Sequence, residues 1–192
     1  MASAAPSVLA IIPVRGKDAE GSDGPVMLAA KPLIAYTIEA AKSCPLVTRL
    51  VVSTDSPSVQ QLAIELGAEA PFVRPADLAA PGVTLDRVLQ HCLEWMADNA
   101  AFAPDIVVTL EVAHPLRPVG LIEQVVGSIV EQGLDTVFAA FEEHHAFWAP
   151  DDHGELRRVG TQESTTRDAL MPLYREMAGL AVATRGAVLR DL

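Results

Sequence analysis

Cysteine is scarce. The 192 residues contain two, Cys44 and Cys92, at no metal-like spacing, so neither a disulfide framework nor a cysteine-built metal site is indicated. Cys92 falls on the apolar face of a predicted helix, and both thiols are expected to be buried and inert. Positive charge is also scarce: 14 Lys and Arg face 25 Asp and Glu, a formal net charge of -11. A nucleic-acid surface needs clustered cations to replace phosphate counterions, so a small molecule or a protein is the expected partner. No apolar run approaches the roughly 20 residues that span a bilayer. Met1 to Ser7 carries no basic region of a targeting signal, and the expectation is a soluble, cytoplasmic protein without membrane contact. Internal repeats and low-complexity segments are absent.

Half of the residues are apolar, enough for one substantial core, and residues 1–192 read as a single domain. The organising stretch is Val8 to Thr37. A continuous apolar run closed by Pro13 reads as a buried strand, and Lys31-Pro32 followed by Leu33, Ile34, Thr37, Ile38 and Ala41 reads as a helix ending near Cys44-Pro45. The glycine-bearing loop between them lies where a parallel α/β sheet binds ligands.

A second unit follows, with strand Leu50–Ser53 and then Ser56-Pro57 as cap and first-turn proline. Val59, Leu62, Ala63 and Leu66 form its helix face, and Gly67 stands at the C-cap position. Further on, the pattern predicts a strand over Ala70–Val73 and a helix capped by Thr84 with the stripe Leu85, Val88, Leu89, Cys92, Leu93 and Met96. A strand over Ile106–Leu110, a helix over Leu121–Val130 closed by Gly133, a strand over Thr136–Phe141 and a last strand over Leu180–Thr184 complete the pattern, with a helix starting at Ala187. Alternating strands and helices predict a Rossmann-like three-layer α/β domain with a mostly parallel sheet. From about 142 to 175 the periodicity fades, and an extended hairpin or arm is expected.

These stretches carry a resemblance. I-I-P-V-R-G at Ile11 to Gly16 and K-P-L-I-A-Y-T-I at Lys31 to Ile38 resemble the opening of the acylneuraminate cytidylyltransferases, which activate sialic-acid-type sugars as CMP conjugates. V-V-S-T-D-S at Val51 to Ser56 and P-F-V-R-P-A-D-L-A at Pro71 to Ala79 continue it, as do Pro115-Leu116-Arg117, Glu143-His144-His145, and Arg167 seven residues before Tyr174. The resemblance implies a nucleotidyltransferase that joins CTP to an acidic keto-sugar with Mg²⁺ assistance, releases pyrophosphate and forms a homodimer through its arm.

Such chemistry must neutralise a triphosphate and place an oxygen in line with the α-phosphorus. By resemblance, Arg15, Gly16, Lys17 and Arg74 bind the nucleotide, Arg15 and Lys17 act in catalysis, and Thr84 is a nearby hydroxyl. Glu111, Arg117, Arg167 and Tyr174 are assigned to the sugar, with Arg167 reaching the sugar carboxylate across the dimer. As residue types, Arg15 suits a bidentate phosphate clamp, Gly16 close backbone approach and Lys17 a point charge. For Arg74 the plain alternative is a surface arginine in a turn, for Thr84 a cap, and for His114 a structural turn residue in place of a base.

The family pattern is departed from in several places. Asp18, Glu20 and Asp23 bring carboxylates beside the phosphate loop, Asp23-Gly24 stands where a Lys-Asn pair is expected, and Glu111 replaces a substrate-contacting Gln. A basic residue near Trp148 is missing, Met177-Ala178 replaces an N-G pair, and the magnesium-binding D-x-D expected after the last strand has no counterpart up to Leu192. His144, His145, Asp151, Asp152 and His153 have ligand chemistry but poor metal spacing. Three readings stay open: an active cytidylyltransferase, a catalytically impaired homologue that binds or regulates, and a piece of a longer chain whose continuation holds the metal ligands.

Overall fold

The computed structural model describes residues 5–16, 26–159 and 172–191. Two compact units are distinguished, Met1–Ala139 with Ala178–Leu192, and Ala140–Met177. In the first, β1 (Val8–Val14) leads to a two-residue-strand hairpin, β2 (Met27–Leu28) and β3 (Lys31–Pro32), then α1 (Leu33–Ser43), β4 (Arg49–Thr54) and α2 (Pro57–Glu65). A 3-10 turn over Ala76–Ala79, α3 (Leu85–Ala100), β5 (Ile106–Thr109), α4 (Leu121–Gln132) and β6 (Thr136–Phe138) follow. The second unit holds β7 (Ala140–Glu143), β8 (Trp148–Pro150), β9 (Leu156–Arg158) and β10 (Leu173–Glu176), after which the chain adds β11 (Val182–Arg185) and α5 (Gly186–Arg190) to the first.

The five-stranded sheet of the first unit runs β4-β1-β5-β11-β6. β4, β1 and β5 pair in parallel, and only β11 runs against its neighbours, so the sheet is mostly parallel. Strand alternation divides the core in two. Val8, Ala10 and Ile12 of β1 face the side chains of α1, α2 and α4, whereas Leu9 and Ile11 face α3 and Leu189 of α5. Helices therefore cover both faces, in a three-layer α/β arrangement. Ile11, Ile12, Ile38, Met96 and Ile129 are fully buried, and each such side chain contributes about 1.5–3 kcal/mol relative to exposure.

Helix ends follow their sequence signals. Ser56 Oγ accepts the Val59 amide at 3.4 Å with Pro57 in the first turn, and Gly133 closes α4 at φ 68°. Thr84 occupies the N-cap position of α3 without a side-chain capping hydrogen bond.

Two expectations are corrected. The segment Ala70–Val73 is not a strand: only the flanking pairs Val51–Glu69 and Thr54–Val73 bridge to β4, because Pro71 has no N–H to extend the ladder. The strand expected over Thr136–Phe141 is two, β6 pairing with β11 and β7 with β10, with the Ala139 amide bonded to Ala181 O at 3.1 Å at the break. The second unit consists of antiparallel pairs, β7 with β10 and β8 with β9, so the hairpin expected there is present.

Candidate functional site

Because β1, β4 and β5 are parallel, their carboxyl ends lie along one edge of the sheet, and the segments leaving them converge. A cleft of about 450 Å³ opens there, within the range of about 300–1,000 Å³ usual for small-molecule sites. Its walls are apolar side chains, among them Leu33 and Ile34 of α1, Val59 of α2 and Val88 of α3. Three of its described lining residues are of charged type: Arg15, Arg74 and Glu111.

Arg74 is the most constrained of the three. It is 4% exposed, donating from Nη2 to Val14 O at 3.1 Å and from Nη1 to Ser53 O at 3.4 Å, with Nη2 3.5 Å from Asp55 Oδ1. Its Nε has no hydrogen-bond partner among the described residues. Burial pushes its pKa down, the Asp55 carboxylate opposes this, and the nearby Arg15 lowers it further. A buried cation with one loosely placed counter-charge and a second cation beside it favours an incoming anion.

Asp55 connects the pieces, since its Oδ1 also accepts the Gly16 amide at 3.0 Å. The close approach requires glycine: a Cβ on Gly16 would stand 2.2 Å from Ser56 Cβ. Arg15 is exposed and lines the cleft. Thus the loop after β1 and the turn after β4 are fixed to one another, with two guanidinium groups beside the junction.

At the end of β5, Glu111 is held from several sides. Its amide donates to Gly179 O at 3.0 Å, its carbonyl accepts from Arg117 Nη2, and a Cβ on Gly179 would come within 3.0 Å of its Oε2. Arg117 donates from Nε to Leu180 O at 2.5 Å, from Nη2 to Gly179 O at 2.9 Å and from Nη1 to Thr37 Oγ1 at 3.0 Å. Burial lowers its pKa to about 10, with Glu111 pulling the other way. Arg117 therefore joins α1, the β5 end and the turn before β11, and it is not among the cleft-lining residues.

Of the residues expected at the site, Arg15, Arg74 and Glu111 line one cleft, and Gly16 sits at its base junction. Thr84 is exposed and outside the lining, although its neighbours Val83 and Leu85 belong to it. Arg117 is outside the lining, with its donors on three backbone oxygens and the Thr37 hydroxyl, and His114 packs against Gly179, where a Cβ would be 2.4 Å from the ring. Tyr174 lies on β10 of the second unit, 64% exposed. Lys17 and Arg167 lie outside the described residues, as do Asp18, Glu20 and Asp23.

Asp55 and Gly179 emerge only from the fold. The one local sign was an acidic residue directly after a strand and before a capping serine.

Among the described residues no three His, Cys, Asp or Glu side chains gather to hold a metal ion, so these residues do not make a cage for Mg²⁺. The second unit's candidates are paired otherwise: His144 Nε2 with Glu142 at 2.8 Å, and Asp151 with Arg157 Nε at 2.5 Å and the His153 amide at 2.9 Å. Both cysteines are buried, and burial raises the Cys92 thiol to about 12.

The fold and cleft define an α/β domain whose described cleft, at the carboxyl edge of its parallel strands, is lined by two arginines and a glutamate. The chain belongs to the cytidylyltransferase family, whose sequence model, described as Cytidylyltransferase, matches residues 26–181. It is 29% identical over 136 residues to a pseudaminic acid cytidylyltransferase of Campylobacter jejuni, a match covering 70% of this chain and 58% of that protein. Identity is 34% over 112 residues with a CMP-N,N'-diacetyllegionaminic acid synthase of Legionella pneumophila (57% and 47% covered). It is 33% over 168 residues with a 3-deoxy-manno-octulosonate cytidylyltransferase of Anaeromyxobacter sp. strain K (87% and 62%). The chain thus spans less than two thirds of the length of each of these relatives. In structure it resembles a CMP:2-keto-3-deoxy-manno-octonic acid synthetase complexed with CTP, with a TM-score of 0.71 at 15% identity, covering 96% of this chain and 76% of the other. A 4-diphosphocytidyl-2C-methyl-D-erythritol synthase of Anaerococcus prevotii gives 0.69 at 11% identity, covering 97% and 74%.

Proposed function

We propose that the cleft binds CTP and that the protein transfers its cytidylyl group to a sialic-acid-type keto-sugar acid. The sugar hydroxyl oxygen bonds to the α-phosphorus, the bond from that phosphorus to the β-phosphate bridge oxygen breaks, pyrophosphate leaves and the hydroxyl proton is released. One observation carries this reading: the buried guanidinium of Arg74, with an unpartnered Nε and Arg15 nearby, stands in a cleft at the carboxyl edge of the sheet. Two cationic groups side by side suit a phosphate chain. The named relatives act on pseudaminic, legionaminic and octulosonic acids, which supports a sugar acid as acceptor. Mg²⁺ belongs to the proposal as a companion of the nucleotide phosphates, which supply much of its coordination in such sites.

A second reading, a homologue that binds without turnover, is favoured by the carboxylate of Glu111 in the same cleft. A third, a piece of a longer enzyme, is consistent with the fraction of its relatives that the chain spans. We also propose a homodimer formed through the second unit, which exposes Phe141, Trp148, Leu156 and Tyr174.

The test is calorimetric titration of CTP with and without Mg²⁺, with ATP as control, on the native chain and Arg74→Ala. Cytidine-selective binding is expected, weakened about tenfold or more in the variant, as loss of charge-assisted hydrogen bonds implies. No binding at millimolar CTP would overturn the nucleotide site. Pyrophosphate release with N-acetylneuraminate would then separate enzyme from binder.

A further inference from the structure

A second basic group stands under the loop that presents Arg74. Phe72, Val73 and Arg74 alternate buried, exposed, buried, at 8%, 44% and 4%, so the Phe72 ring and the Arg74 side chain leave the same side of the segment. Phe72 packs onto α3 between two side chains one turn apart. The His91 imidazole meets its ring edge to face, with centroids 4.9 Å apart at 82°, and Trp95 lies at 5.5 Å. Leu85 and Val88 line the cleft, and His91 is the next position on the same i, i+3 row of α3. The imidazole therefore sits one turn behind the cleft wall, on the side of the loop that carries the guanidinium.

His91 is half-buried, so solvent protons reach it, yet its Nδ1 is enclosed and has no hydrogen-bond partner among the described residues. The charged groups acting on the ring are Glu94 of its own helix and, from the loop packed on it, Arg74 and Asp77. Burial holds the imidazole below its ordinary pKa; Glu94 opposes this, Arg74 adds to it, and Asp77 opposes it again. Of the two basic groups sharing this ground, only His91 can give up its charge near neutral pH. An anion on Arg74 changes the balance, because it offsets the guanidinium's repulsion and attracts the imidazolium itself.

Resting on the nucleotide reading above, we propose that His91 is a proton-linked positioning residue of the phosphate site: it anchors the Arg74 loop through Phe72, and it takes up a solvent proton when a phosphate chain occupies Arg74. The site gains its extra positive charge only when an anion is present to neutralise it. At an effective dielectric constant of about 20, a unit charge about 10 Å away moves a titration by about one pH unit. Coupling is reciprocal, so the phosphate chain binds the protonated form about tenfold more tightly than the neutral one.

The experiment is an NMR titration of the five imidazoles of the native chain, with His91 assigned from the spectrum of His91→Gln, alone, with CTP and with pyrophosphate. The His91 midpoint is expected to rise by about one pH unit with either ligand, and Arg74→Gln, long but uncharged, should raise it in the empty protein. In parallel calorimetry, the ratio of native to His91→Gln affinity for CTP should grow several-fold from pH 8 to pH 5.5. That ratio cancels the titration of CTP itself, and lost packing against Phe72 would lower the variant's affinity equally at every pH. An unmoved midpoint with CTP bound, the native midpoint retained in Arg74→Gln, or a pH-independent ratio overturns the inference and leaves the nucleotide site standing. A raised midpoint with pyrophosphate but no selectivity for cytidine keeps the proton linkage and removes the nucleotide reading. Binding of neither ligand overturns both.

Discussion

Gly16 shows how one side chain's absence builds the site. Its Cβ position is occupied by Ser56, so Gly16→Ala should destabilise the fold by about 1–3 kcal/mol through overpacking. Urea denaturation measures it, and the effect should shrink in a Ser56→Gly background, where the opposing Cβ is gone; an undiminished loss would place the strain elsewhere. Cys92 gives a pH test. Burial raises its thiol from 9.0 to about 12, so the native state holds that proton more tightly than the unfolded chain. Its stabilising contribution is fully present below pH about 9 and is lost as pH rises toward 12. Native protein at pH 8 should accordingly react with a thiol reagent only at the rate of unfolding, and prompt labelling of Cys92 would contradict its burial. At this scale the sequence exposed Arg74 through its motif. Asp55 stayed hidden because its partners, the Gly16 amide and the Arg74 guanidinium, are 39 and 19 positions away.

Among the elements, the β2–β3 hairpin carries a visible strain. Ala29 and Ala30, its turn residues, have φ 48° and 63°, a region that costs residues bearing a Cβ about 1–2 kcal/mol each. The hairpin is pinned to α1 by the Tyr36 hydroxyl donating to Leu28 O at 3.1 Å and by Lys31 with Glu39 at 2.5 Å. Replacing Ala29-Ala30 with Asn-Gly, the pair preferred at such turns, should raise stability by about 1 kcal/mol in denaturant titration. A loss would show that the alanine methyl groups make compensating contacts. Helices were legible because caps and 3.6-residue stripes are local. Strand limits were less so: nothing in the apolar pattern of Thr136–Phe141 says that its two halves take different partners.

For the whole molecule, the proposed dimer is the accessible test. Trp148 is 60% and Leu156 66% exposed in the second unit, apolar side chains of the kind a subunit interface would cover. Light scattering after gel filtration should give twice the chain mass of 20.4 kDa, and Trp148→Glu should shift the protein toward the monomer. A monomeric native chain would sink that proposal and leave the cleft argument untouched.

The helices, the faces they bury and the family motifs were set by the sequence itself, because each depends on neighbours within a few positions, whereas Ala70–Val73 and Thr136–Phe141 took their form from their sheet partners. Tertiary structure alone decided that β1 lies between β4 and β5, that Arg117 ties Glu111 to the turn at Gly179, and that Arg15, Arg74 and Glu111 share one cleft. Those contacts join residues that local periodicity does not relate, and they form only when the sheet brings its strand ends together.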